Sequence, residues 1–183
     1  PPKKTFLDHL LGGNVGVYGV GKIEDIFVKN GLSHAKHTGT NKEGLELTLN
    51  AINGSDNLRA YKLGENKPDD VQMIFTNLVD TDSLYGHRRD VKGYGSALVE
   101  IDAYLDKIVK AMRKDDLLII SSDHGNDPTA PGTDHTREFV PMIAYSPTFL
   151  EGGKPMSAKK ANVGIRHGFV DIAATLSDWP AVQ

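Results

Sequence analysis

No cysteine occurs anywhere in the 183-residue sequence. Disulfides, cysteine-ligated zinc and thiol catalysis are therefore excluded, and a reducing cytoplasm is the expected location. No apolar run approaches the roughly 20 residues of a membrane-spanning helix, and no signal-peptide core opens the chain, so no membrane partner is expected. Lysine and arginine form no block and the formal net charge is −3, which argues against nucleic acid as a partner. Internal repeats and low-complexity tracts are absent. The chain begins Pro1-Pro2-Lys3-Lys4 rather than with methionine, as a processed terminus or a portion of a longer protein would.

What is present suits one soluble domain with a real core: 39% of residues are apolar and 25% charged. Thr5 predicts the cap of a short helix ended by Gly12-Gly13. A strand is expected over Val15–Val20 and a short helix over Ile23–Val28. Residues 31–40 read as a polar loop, and Asn41 reads as the cap of a helix running to Ile52. Residues 56–70 are charged and lack apolar periodicity, which predicts a surface excursion. Val71–Val79 reads as a strand and 80–91 as a polar loop. From Gly93 to Arg113, Tyr94, Leu98, Ile101, Leu105, Ile108, Val109 and Met112 recur at helical spacing and predict one apolar face. Leu117–Ser121 is a short, continuous apolar run, expected to be a strand buried on both faces. A long loop over 123–138 leads to a strand at Phe139–Tyr145, and an amphipathic helix over Gly168–Trp179 has Phe169, Ile172, Ala173 and Leu176 on one side. Strand, helix, strand in this order implies parallel pairing through crossover helices, an α/β fold.

The chemistry gathers after the strands. Asp82 and His87 follow the 71–79 strand, Asp123 and His124 follow the 117–121 strand, and Asp134-His135 repeats the acid-histidine pair eleven residues on. Loops at the carboxyl ends of parallel strands share one edge of the sheet, so Asp82, His87, Asp123, His124 and His135 are expected to converge. Carboxylates and imidazoles without sulfur favour Mn, Zn, Mg or Fe. Five ligands exceed one tetrahedral site and suit a two-metal centre of the kind used in phosphoryl transfer. A single loop histidine is more often simply exposed, and that reading is given to His9, His34 and His37. Arg88 and Arg89 offer forks for a substrate phosphate, with a solvated or salt-bridged pair as the alternative. Lys22 follows a glycine-rich turn, but the full Walker spacing is missing. Arg137 and Glu138 read as ligand-orienting residues or as a salt-bridged loop.

Four stretches carry a resemblance. Val17-Tyr18-Gly19-Val20-Gly21-Lys22-Ile23-Glu24-Asp25-Ile26-Phe27, Asn77 to Asp90 (NLVDTDSLYGHRRD), Asp123-His124-Gly125-Asn126-Asp127-Pro128 and Pro131 to Glu138 (PGTDHTRE) resemble the bacterial phosphopentomutases, of the alkaline phosphatase superfamily. The likeness covers nearly the whole chain outside 56–70. It implies a partial alkaline-phosphatase-like core: a parallel-rich sheet with helices on both faces. Residues 1–55 would be the last segment of a cap domain and its hinge, 56–70 a surface insertion, and 71–183 the C-terminal part of the metal-binding core. It also implies two divalent metal ions, manganese being the expected one. Asp123 and His124 would hold one, and Asp82, His87 and His135 the other. Lys22 and Arg88 become candidates for contacting a phosphorylated pentose. The implied reaction interconverts ribose 1-phosphate and ribose 5-phosphate, and the deoxy sugars, in nucleoside salvage.

Two departures qualify the likeness. The nucleophilic threonine of the family, with one further aspartate ligand, lies in an N-terminal part that nothing here matches. The chain therefore reads as the C-terminal portion of such an enzyme, inactive alone and dependent on the remaining N-terminal half as its partner. Thr81 stands where the family pattern has phenylalanine, which bears on packing. The rivals are a cofactor-independent phosphoglycerate mutase, a plain metal-dependent phosphatase, and an inactive metal-binding remnant. The first shares the Asp-His-Gly-Asn stretch but differs in its acid-to-histidine spacing and lacks the Gly-Thr-Asp-His-Thr-Arg-Glu run.

Overall fold

The computed structural model describes residues 3–151, 154–155 and 162–179. Contacts divide the chain into two compact units, one of residues 1–111 with 123–140 and one of residues 112–122 with 141–183.

In the first unit, helix α1 (Phe6–Gly12) starts at a reciprocal cap: the Thr5 hydroxyl accepts from Asp8 N, and the Asp8 carboxylate accepts from Thr5 N. Strand β1 (Gly16–Val20) is buried along its whole length. It lies between β2 (His34–Lys36) and β3 (Val71–Thr76), parallel to both. A central strand covered on both faces must be apolar or small throughout, and Val17, Tyr18 and Val20 are all fully buried. Helix α2 (Ile23–Ile26) follows β1, and Ile23 joins Leu7, Leu10, Leu32, Ala35 and Leu45 in the core. Helix α3 (Asn41–Ile52) connects toward β3, and α4 (Val91–Ala111) packs against α3. Strands β1 and β3, from either side of the 56–70 excursion, are immediate neighbours in this one sheet.

Three sequence expectations are corrected in this unit. Residues 31–40 are not simply a loop: they contain β2, and His34 is completely buried rather than exposed. Ser33 Oγ bonds both the amide and the carbonyl of Val17 and meets His34 Nδ1 at 2.9 Å, while His34 Nε2 is buried with no hydrogen-bond partner among the described residues. His9 and His37 are exposed, as expected. The cap of α3 is Thr40, whose side chain accepts from Glu43 N, because the side chain of Asn41 is engaged elsewhere by Asp80. In α4 most of the expected inner face is covered, with Ile108 buried and Tyr94, Ile101, Leu105 and Val109 half-buried; Leu98 departs from it and is half-exposed, while Ala97 is buried. Tyr104, on that inner face, donates to Glu46 of α3.

The excursion covers the outer edge of the sheet. Leu63 N donates to Ser33 O, Lys62 bridges His34 in antiparallel fashion, and the Tyr61 ring stacks on Tyr18 at 5.8 Å. An otherwise open edge of β2 is thereby blunted.

In the second unit, β4 (Leu118–Ser121) pairs with β5 (Met142–Tyr145). The pairing is antiparallel, which corrects the expectation of parallel strands here. The connection between them holds no crossover helix, and without one the chain returns antiparallel. Leu118, Ile119 and Ile120 are only half-buried, not covered on both faces, with β5 the one partner strand among the described residues. Helix α5 (Val170–Ser177) ends near Trp179, whose indole donates to Asp115 O at 2.9 Å. Phe169, expected on its inner side, is 54% exposed. No helix among the described residues is long and apolar enough to cross a membrane.

Candidate metal centre

The segment after β3 is not an irregular loop. Thr81–Gly86 forms one wide π-type turn, closed by His87 N donating to Asp82 O five residues back. Such turns are rare and collect at functional sites. Asp82 and His87 consequently lie on one side, with His87 Nε2 3.3 Å from Asp82 Oδ1. The turn is anchored from behind by Asp80, which is buried and exchanges two hydrogen bonds with Asn41: Asn41 N donates to Asp80 Oδ2 at 2.8 Å, and Asp80 N donates to Asn41 Oδ1 at 2.9 Å.

The second set of candidate ligands comes from the 123–138 loop. Gly125 and Thr136 pair across it, and Asp127 N donates to Thr136 Oγ1 at 2.7 Å, so the loop folds back on itself. That fold carries His124 and His135 side by side, stacked with ring centroids 3.7 Å apart; the His87 ring lies tilted against His135 at 4.7 Å. His135 Nε2 is 3.2 Å from Asp82 Oδ1. Asp82, His124 and His135 each offer a ligand atom within 4.8 Å of the others.

The hydrogen bonds fix the roles of the ring nitrogens. His87 Nδ1 contacts the carbonyl of Thr133, and His124 Nδ1 that of Gly125. A carbonyl only accepts, so Nδ1 is the donor in both contacts and Nε2 is the nitrogen turned to the cluster. This is how metal-binding histidines are held: one nitrogen donates to backbone, the other faces the ion. The Nε2 atoms of His87 and His135 both approach Asp82 Oδ1, at 3.3 and 3.2 Å. This set of imidazoles around a hard carboxylate is of the kind that fits a divalent cation.

The remaining sequence candidates are placed less closely. The Asp123 side chain is 63% exposed, and its Oδ1 is 3.7 Å from His124 Nε2. Lys22 starts α2 at the carboxyl end of β1, the edge that the Asp82 turn leaves from β3. Arg88 is exposed, and neither it nor Lys22 makes a hydrogen bond or ion pair with the cluster among the described residues.

The pattern described as the Metalloenzyme superfamily matches residues 20–179. The chain belongs to the metalloenzyme superfamily. Within that superfamily it is 46% identical over 174 residues to a protein of Caldanaerobacter subterraneus subsp. tengcongensis named phosphopentomutase, a match covering 95% of this chain and 39% of the relative. A phosphopentomutase of Alkaliphilus metalliredigens is 46% identical, covering 97% of this chain and 40% of that protein. One of Clostridioides difficile is 43% identical with the same coverage, 97% and 40%. The chain thus spans about two fifths of the length of these relatives.

Two residues beside this cluster take roles that the sequence reading did not give them. Asn126 is 7% exposed and donates Nδ2 to Asp82 Oδ1 at 2.7 Å. Arg89, read from sequence as a phosphate fork or a salt-bridged surface residue, instead turns inward. It donates to the carbonyls of Gly86, Asp127, Gly132 and Asp134 and to Asn126 Oδ1. The only sequence signal for Asn126 is its place directly after Asp-His-Gly; nothing local marks Arg89 as inward-facing. The approach of the two segments needs small residues: a Cβ at Gly86 would strike the Asn126 amide, and one at Gly125 would strike Glu138.

Proposed function

We propose that this chain is the metal-ligand-bearing part of a phosphopentomutase. In this reading the completed enzyme, not this chain alone, interconverts (deoxy)ribose 1-phosphate and (deoxy)ribose 5-phosphate in the cytoplasm, in nucleoside salvage. The observation that carries the reading is the joining of Asp82, His124 and His135 into one cluster, in a chain 46% identical to proteins of that name. Asp82, His87 and His135 would hold one divalent ion and Asp123 with His124 a second, both manganese by preference. The pair would supply charge neutralisation for phosphoryl transfer.

The chain's own residues orient and hold. Thr133 and Gly125 keep the imidazoles in the tautomer that binds through Nε2. Lys22 and Arg88 provide cationic side chains for the substrate phosphate. The phosphoryl group passes between the sugar and a threonine supplied by the partner, an N-terminal part like that of the longer relatives. Without that threonine the chain has no acceptor, so it is inactive by itself.

The test is a coupled assay for ribose 5-phosphate formed from ribose 1-phosphate with Mn2+. No turnover is expected from the 183 residues alone, and turnover is expected once an N-terminal part carrying the threonine is joined to them. Activity in the chain alone would sink the division of labour. Inactivity of the completed protein would sink the assignment.

A further inference from the structure

Asp82 and His87 reside on one segment, His124 and His135 on another, and no ion is needed to see what joins them. Arg89 reaches across. Its Nε donates to Gly132 O at 2.6 Å, its Nη2 to Asp134 O at 2.7 Å, and its Nη1 to Asp127 O at 2.7 Å and Asn126 Oδ1 at 3.1 Å. The carbonyls it holds flank Thr133, which accepts from His87, and directly precede His135. Asn126 continues the line: its oxygen is taken by Arg89 and its amide nitrogen is given to Asp82 Oδ1. Arg89 makes these contacts from a left-handed backbone, φ 56°. A non-glycine residue there costs about 1–2 kcal/mol, a strain that persists where the surroundings hold it in place and that is found at functional sites.

We propose that Arg89 and Asn126 are positioning residues that set the metal affinity of the centre: Arg89 fixes the ligand loop, and Asn126 aims the Asp82 carboxylate. The proposal rests on the metal-centre reading above. Neither residue is a ligand or touches substrate in it. A guanidinium is needed because five acceptors in three directions demand a planar fork, and an ammonium satisfies far fewer of them.

The experiment is Mn2+ titration by calorimetry and electron paramagnetic resonance on the wild-type chain, Asn126→Ala, Arg89→Lys and His135→Ala. Unfolding of each is followed in EDTA. Partners that orient ligands are worth about 10–100-fold in metal affinity, so Asn126→Ala and Arg89→Lys are each expected to raise Kd by that factor and to alter the bound-Mn2+ spectrum. A merely structural role would lower the fraction of folded protein, and hence the stoichiometry, with Kd and spectrum unchanged. That outcome, or a Kd within about twofold of wild type against the 10–100-fold expected, overturns the proposal. If His135→Ala also binds like wild type, the metal-centre reading itself fails. If His135→Ala loses binding while the other two keep it, only the positioning role falls.

Discussion

Replacing Asp80 with alanine is expected to destabilise the chain by about 2 kcal/mol. Asp80 is 8% exposed, and its Oδ2 accepts from the backbone N–H of Asn41, the first residue of α3, at 2.8 Å. The variant strands a buried donor at a helix N-terminus, which costs about 1–3 kcal/mol. It also removes a carboxylate from the positive end of the helix, worth about 0.3–1 kcal/mol. Against this, Asp80 Oδ1 is buried without a hydrogen-bond partner, and deleting it returns about 1 kcal/mol of desolvation. The balance of about 2 kcal/mol corresponds to a fall of about 4–8 °C in Tm for a chain of this size. Asp80→Asn retains an acceptor for Asn41 N and loses only the charge, so it is expected to cost about 1 kcal/mol. Circular dichroism melts in EDTA keep metal binding out of the measurement. The order wild type, Asn, Ala in falling Tm is the signature. An alanine variant melting within about 1 °C of wild type, or an asparagine variant less stable than the alanine one, would refute the reasoning.

The remaining predictions concern stability away from the centre. Val28 is 75% exposed with φ 51°, a conformation that a β-branched residue adopts at a cost of about 1–2 kcal/mol. Val28→Asn is therefore expected to raise Tm by about 2–4 °C, and an unchanged Tm would show that the strain is not felt. Burial, and secondarily the nearby Lys62, hold the His34 pKa below its ordinary 6.5. Below pH 6.5 the unfolded chain then binds a proton that the folded chain refuses, so stability is full above that pH and declines as pH falls through it. Urea titrations between pH 8 and about 5 should show this slope in wild type and a shallower one in His34→Gln; equal slopes would remove His34 as its cause.

How far the fold was legible depended on whether local chemistry or distant contacts decided each piece. Helix α1 was readable because its cap and first turn carry their own partners, Thr5 and Asp8. Strand β1 was readable because a central strand must be apolar throughout. Strand β2 was hidden because Ser33 and His34 look like loop residues, and what ties Ser33 into the sheet is a pair of bonds to Val17, sixteen positions away. Asn41 was mistaken for a cap for a similar reason: its partner, Asp80, is thirty-nine residues on. Around the centre, the candidate residues could be named from sequence, but the single sheet edge expected to gather them is not there: β3 and β4 belong to different sheets. The contacts that bring the candidates together could not be named, because Arg89 and Asn126 do their work across separations of 37 to 45 residues.

The spacing of Asp82 and His87 shows what such a motif means only after folding. In an α-helix, at about 100° per residue, positions five apart point roughly 140° away from each other and cannot share an ion. Ligand pairs on helices are accordingly spaced three or four apart. Here the turn is of the wider kind, closed by the bond from His87 N to Asp82 O, and positions five apart return to the same side. The 3.3 Å between His87 Nε2 and Asp82 Oδ1 follows from that choice of turn. The wide turn is in turn held at its start by Asp80 on Asn41 and beyond its end by Arg89 on the ligand loop. A turn type that is rare by itself is thus held by side-chain contacts on both sides, and they keep the candidate ligands Asp82 and His87 together.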